Sequence, residues 1–195
     1  MDEHKIFNGH RKLIVSFGGL NSKVGGVHPF EFLNFISSTY KDVDAVFYRD
    51  QKQAWYHDGI HGLSDNITTT ADHLSRLVKN YDKVIFLGVS AGGYAAILFG
   101  SLCNVDHVLS FTPQTLLDDR CHAKLSGYKD LKRVINSTTK YLVYGDMKGV
   151  GKHAFRHCAN VDCFPNVKVI RMENVVLKVL RDSGALKGLI DERLY

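Results

Sequence analysis

The chain has 195 residues, a length suited to one domain with a sizeable core. Hydrophobic residues make up 45% of it and charged residues 23%, which excludes a disordered or low-complexity chain. The formal net charge is +5, but the basic groupings (His10-Arg11-Lys12, Lys129 to Arg133) are short, which argues against a nucleic-acid partner.

The start, Met1 to Lys5, is polar and leads into a strand within about ten residues, and no secretory leader fits there. No apolar run approaches the ~18 residues of a membrane span, so no membrane association is expected. The four cysteines (Cys103, Cys121, Cys158, Cys163) lack C-x-x-C spacing. They read as free thiols of a cytoplasmic protein, with neither a disulfide framework nor a metal site.

Lys12 to Phe17 reads as a first strand, followed by Gly18-Gly19-Leu20-Asn21 and a loop through Gly25-Gly26. Pro29 opens a helix with Phe32, Phe35 and Ile36 on one face. Asp44 to Tyr48 is a second strand ending in Arg49-Asp50, and a loop with Trp55, Tyr56, His57 and His61 follows. Asp65 or Asn66 caps the next helix, where Ile67, Ala71, Leu74 and Val78 repeat at helical spacing.

The third strand runs through Val84-Ile85-Phe86-Leu87 into Gly88-Val89-Ser90-Ala91-Gly92 and an alanine-rich helix. Val105 to Phe111 is a fourth strand, followed by Thr112-Pro113-Gln114-Thr115 and an irregular excursion over 116–137. Tyr141 to Tyr144 is a fifth, ending at Gly145-Asp146, with a helix near Lys152 to Ala159 after it. Val167 to Arg171 is the sixth, and helical turns holding Val175 to Leu180 and Leu186 to Ile190 close the chain.

Six strands alternating with helices predict a mostly parallel six-stranded sheet in a three-layer αβα sandwich, one domain over 1–195. The strand before Ser90 belongs at its centre, where loops at the carboxyl ends of the strands converge. Gly88-x-Ser90-x-Gly92 between a buried strand and a helix is a nucleophile elbow. Side chains at 88 and 92 would collide with neighbouring backbone, and the Ala91 amide would point to a developing oxyanion.

On these residues the chain resembles the α/β-hydrolase superfamily in a minimal form that starts at the strand supplying the oxyanion loop. Phe47-Tyr48-Arg49-Asp50, Trp55-Tyr56, Gly59, Gly88 to Tyr94 and Thr112 to Thr115 resemble small hydrolase-like proteins associated with glycan modification. The resemblance implies a serine esterase or acyltransferase acting on a small-molecule or glycan acyl ester, with no cofactor and no metal. It implies Ser90 as nucleophile, and Ala91 with Gly19 or Leu20 as oxyanion hole. Asp146 is the implied acid, with Asp118 or Asp119 as poorer choices. Arg49, Trp55, Tyr56 and His57 form the ligand-facing group. The same loop also fits an aromatic anchor on the core, with Arg49 paired to Asp50.

The superfamily's histidine follows the last strand, where this chain has Arg171-Met172-Glu173-Asn174, and no histidine occurs after His157. Three readings follow. Another upper-loop histidine is the base, His153 before His57 or His61. Glu173 or Asn174 is expected near Ser90 in the histidine's position, and Glu173 serves directly. Or the site is degenerate and the protein binds a ligand without turning it over.

Overall fold

The computed structural model describes residues 2–20, 29–117, 127–151 and 154–195. Its strands are β1 (Glu3–Ile6), β2 (Lys12–Phe17), β3 (Asp44–Tyr48), β4 (Lys83–Val89), β5 (His107–Phe111), β6 (Lys140–Asp146) and β7 (Val167–Met172). They form one sheet in the order β1-β3-β2-β4-β5-β6-β7, with β1 antiparallel to β3 and every other pairing parallel. The sheet thus has seven strands instead of the expected six. The additional one, Glu-His-Lys-Ile, lies at the edge, where a short polar strand carries no apolar signature.

The inner strands are buried on both sides because helices cover both faces, which is why they read as continuous apolar runs. The helices are α1 (Leu33–Thr39), α2 (Ile67–Val78), α3 (Ala91–Cys103), α4 (Arg156–Ala159), α5 (Leu177–Asp182) and α6 (Ala185–Leu194). Alternate residues of each strand feed two cores. Val15, Phe17 and Phe86 pack with Leu74 of α2 and with α3, while Ile14, Ile85 and Leu87 pack with Ile36 of α1 and Ile190 of α6.

Phe17 sits among the rings of Tyr48, Tyr56, Phe86 and Phe99, with centroids 5.4–5.7 Å away. Full burial of such a side chain stabilises by about 1.5–3 kcal/mol. Asn66 starts α2 through a capping box: its Oδ1 accepts the Thr69 amide at 2.9 Å, and Thr69 Oγ1 accepts the Asn66 amide at 3.2 Å.

The helix expected from Pro29 begins at Leu33, after Phe32 takes a left-handed conformation at φ 63°. The excursion after β5 contains a 3-10 turn at Leu131–Arg133 and a bridge between Leu116 and Asp130. Among the described residues no helix is long and apolar enough to cross a membrane.

Candidate functional site

β4 is central, with β2 and β5 on either side, and it delivers Ser90 to the head of α3. Ser90 adopts φ 54° and ψ −119°, a conformation that costs an L residue about 1–3 kcal/mol. The surroundings enforce it. The Ser90 amide donates to Phe111 O at 2.9 Å, tying the turn to the end of β5. A Cβ at Gly88 would stand 2.2 Å from Gly92 O, and one at Gly92 would stand 2.0 Å from Phe17 O. Only glycine allows the strand, the new helix and the end of β2 to meet this closely.

Other positive-φ residues crowd the same end of the sheet: Trp55 at 50°, Tyr56 at 63° and Thr112 at 45°. Trp55 donates its indole N–H to Gln114 Oε1 at 2.5 Å, joining the loop after β3 to the segment after β5. Gln114 is buried, and its Nε2 has no hydrogen-bond partner among the described residues.

Ser90 is 8% exposed and opens onto a cleft of about 590 Å³. Phe32, Phe35, Leu177 and Leu186 provide apolar wall, between α1 on one side and α5 and α6 on the other. Glu31, Lys178 and Arg181 bring charge into the same cleft.

Gly19 lies against Ser90: a Cβ there would stand 3.0 Å from Val89 O and 3.7 Å from Ser90 Cβ. Ala91 is fully buried at the first position of α3. Leu20 is part-buried and directly follows Gly19.

Of the two arrangements expected of the loop after β3, it takes the aromatic anchor on the core, because Asp50 draws it onto the sheet. Asp50 Oδ2 accepts the amides of Ala54 at 2.8 Å and Tyr56 at 3.1 Å. Tyr56 is fully buried and donates its hydroxyl to Gly18 O at 2.9 Å, so it supports the turn at Gly18-Gly19. His57 is buried too, stacked on Tyr94 with its Nε2 2.8 Å from that hydroxyl. Burial lowers its pKa to about 4, which keeps the ring neutral.

Arg49 pairs through Nε with Asp2 Oδ1 at 3.0 Å and lies over the Phe30 ring, so its partner is not Asp50. Trp55 remains half-buried. None of these four lines the Ser90 cleft.

Asp146 ends β6, part-buried, with Oδ1 accepting the Lys148 amide at 2.9 Å. Glu173 does not enter the cleft: its side chain is 78% exposed and bonded to Lys148 Nζ at 2.8 Å. His61 is exposed. His153, Asp118 and Asp119 lie outside the described residues.

The sequence reading passed over the charged residues of the cleft: Lys178, Arg181 and, beside Gly19, Glu31. Its one mark in the sequence is a carboxylate set between Phe30 and Phe32. Burial raises its pKa to about 7, against a smaller lowering by the Gly19 backbone amide. Among the described residues no cluster of histidine, cysteine, aspartate and glutamate is fit to hold a metal ion.

No family model and no curated protein matches the chain. Solved structures do. An alanine variant of the capsule O-acetyltransferase of Neisseria meningitidis serogroup A, in complex with CoA, is similar with a TM-score of 0.70 at 14% identity, over 96% of this chain and 90% of that one. MGS-M2, an α/β hydrolase enzyme from a Medee basin deep-sea metagenome library, gives 0.64 at 10% identity, over 97% and 92%. The Staphylococcus aureus fluorophosphonate-binding serine hydrolase FphF gives 0.62 at 10% identity, over 97% and 86%. At such identities the likeness is one of fold. Strand order, the glycine-framed turn at Ser90 and these likenesses agree: the chain has the α/β-hydrolase fold.

Proposed function

We propose that the protein is a serine acyl-transfer enzyme, an esterase or acyltransferase, with Ser90 as nucleophile and the amides of Ala91 and Gly19 as oxyanion donors. The carrying observation is the backbone of Ser90, held at φ 54° and ψ −119° at the head of a 13-residue buried helix and open to the cleft. Holding a serine there has a stability cost, and α3 aims its N-terminal amides at the space beside the hydroxyl. Ser90 Oγ would attack an acyl carbon, expel an alcohol or thiol, and pass the acyl group to water or an acceptor hydroxyl.

The likeness to a capsule O-acetyltransferase with CoA supports a thioester as donor and a carbohydrate hydroxyl as acceptor. The experiment is fluorophosphonate labelling read by intact mass, with Ser90→Ala as blank. One adduct on the wild type and none on the variant is expected. No adduct, where a control esterase labels fully, overturns the reading.

A second reading, a binding protein without turnover, is favoured by one observation: no histidine among the described residues lines the cleft. It requires ester turnover to be absent, or unchanged by Ser90→Ala.

A further inference from the structure

Glu31 stands just ahead of α1, and its backbone carbonyl accepts a hydrogen bond from the hydroxyl of buried Ser16 on β2 at 2.9 Å. That contact pins the residue beside the end of β2, the strand whose outgoing turn carries Gly19. A Cβ on Gly19 would stand 3.4 Å from Glu31 Oε1 and 3.7 Å from Ser90 Cβ, so carboxyl and serine flank one backbone corner. Both line the same cleft, and Glu31 Oε2 is shut off from solvent. The Gly19 amide, placed to hold an oxyanion, donates to this carboxyl.

We propose that Glu31 is the proton acceptor for Ser90, a role the superfamily gives to a histidine; the inference rests on the reading of Ser90 as an acyl-transfer nucleophile. Ser90 Oγ bonds to the acyl carbon while its proton passes to a Glu31 oxygen, and the carbonyl π pair moves onto the acyl oxygen. A neutral carboxyl is a weaker acceptor than a carboxylate, so the same transfer loosens its hold on the Gly19 amide. That amide then turns to the new oxyanion alongside Ala91. Collapse of the tetrahedral species breaks the bond to the leaving oxygen or sulfur, which takes the proton back from Glu31. Water or an acceptor hydroxyl then attacks the acyl-serine by the same steps in reverse.

An ordinary carboxylate is a poor base towards a hydroxyl. Burial, which raises this group to about 7, puts it where proton uptake and return are both accessible near neutrality. Among the described residues, the titratable groups facing it are the Tyr56 phenol from the loop after β3 and, across the cleft, Lys178 and Arg181 of α5. Tyr56 is itself raised well above 10 by burial and stays protonated. Glu31 is the group of this cleft whose pKa burial brings to about 7.

The test is the rate of fluorophosphonate labelling of Ser90 between about pH 5 and 9, for wild type, Glu31→Gln, Glu31→Asp and His153→Ala. The wild-type rate is expected to rise with pH through an inflection near 7 and then level. Glu31→Gln should label at least about 100-fold more slowly at pH 8 and lose the inflection. Glu31→Asp should label at an intermediate rate with a displaced inflection, and His153→Ala should stay within about threefold of wild type.

A Glu31→Gln protein that labels as fast as wild type, or faster, overturns the proposal, because the carboxylate would then only obstruct the oxyanion site. Survival of the inflection in that variant, or loss of labelling in His153→Ala, overturns it as well. Should Glu31→Gln fail to fold, a wild-type rate that does not change with pH is enough to reject it. In each of these cases labelled Ser90 leaves the acyl-transfer reading standing, whereas no labelling at any pH removes both.

Discussion

The Tyr56 hydroxyl donates to the carbonyl of Gly18 at 2.9 Å, from a ring with no solvent exposure. It thereby fixes the turn whose next residue, Gly19, lies against Ser90. Tyr56→Phe keeps the ring packing against Phe17 and Phe99 but strips a buried carbonyl of its donor. A loss of about 1–3 kcal/mol in stability is expected from that unmet acceptor. Fluorophosphonate labelling of Ser90 should slow as the turn loosens. Denaturant unfolding and labelling rates check both, and unchanged labelling would separate the tyrosine from the site.

Two glycines predict opposite outcomes. A Cβ at Gly92 would stand 2.0 Å from the Phe17 carbonyl, a backbone atom in a central strand that cannot give way. Gly92→Ala should destabilise by more than about 3 kcal/mol or prevent folding. Gly188 lies in α6, exposed, with nothing within 4 Å of an added Cβ. Gly188→Ala should stabilise by about 0.5–1 kcal/mol through the restricted unfolded chain and better helix propensity. Thermal and urea unfolding of the two variants gives the comparison.

His57 sets an acid limit on stability. Its folded pKa is lowered to about 4, below the unfolded value of about 6.5, so the unfolded chain binds the proton more readily. The stability it contributes is present above pH 6.5 and is lost as pH falls towards 4. The melting temperature should therefore drop between about pH 7 and 5, and the drop should be shallower in His57→Phe, which preserves the stack on Tyr94. An unchanged slope would mean other groups carry the acid sensitivity.

Glu173 is bonded to Lys148, with 78% of its side chain in solvent. An exposed pair of this kind contributes about 0–1 kcal/mol, and no part of it lines the Ser90 cleft. Glu173→Ala and Glu173→His should both leave ester turnover within about twofold of wild type. Steady-state kinetics on a short-chain ester, with Ser90→Ala as blank, measures this. A gain of more than tenfold in Glu173→His would restore the idea of a vacated histidine position at this point of the loop.

Much of the architecture was legible in sequence because its signals are local. β2 at Lys12–Phe17 and β3 at Asp44–Tyr48 coincide with their apolar runs, since strands covered on both faces need no polar alternation. Asn66, one of the two caps read for α2, sits at its start. The turn at Ser90 is equally local, because the glycines that relieve its collisions are two residues away on either side.

What depended on the assembled molecule is everything decided between segments distant in the chain. β1 became a strand by pairing with β3 at the sheet edge, although its own residues alternate no apolar face. Arg49 found Asp2, and Tyr56 reached down to Gly18, because the loop after β3 folds inward around Asp50. Glu31 meets Gly19 through a twelve-residue separation that no periodicity marks. Local spacing states which backbone a segment prefers, whereas desolvation and a distant partner determine what one of its side chains can do, and those exist only once the chain has closed on itself.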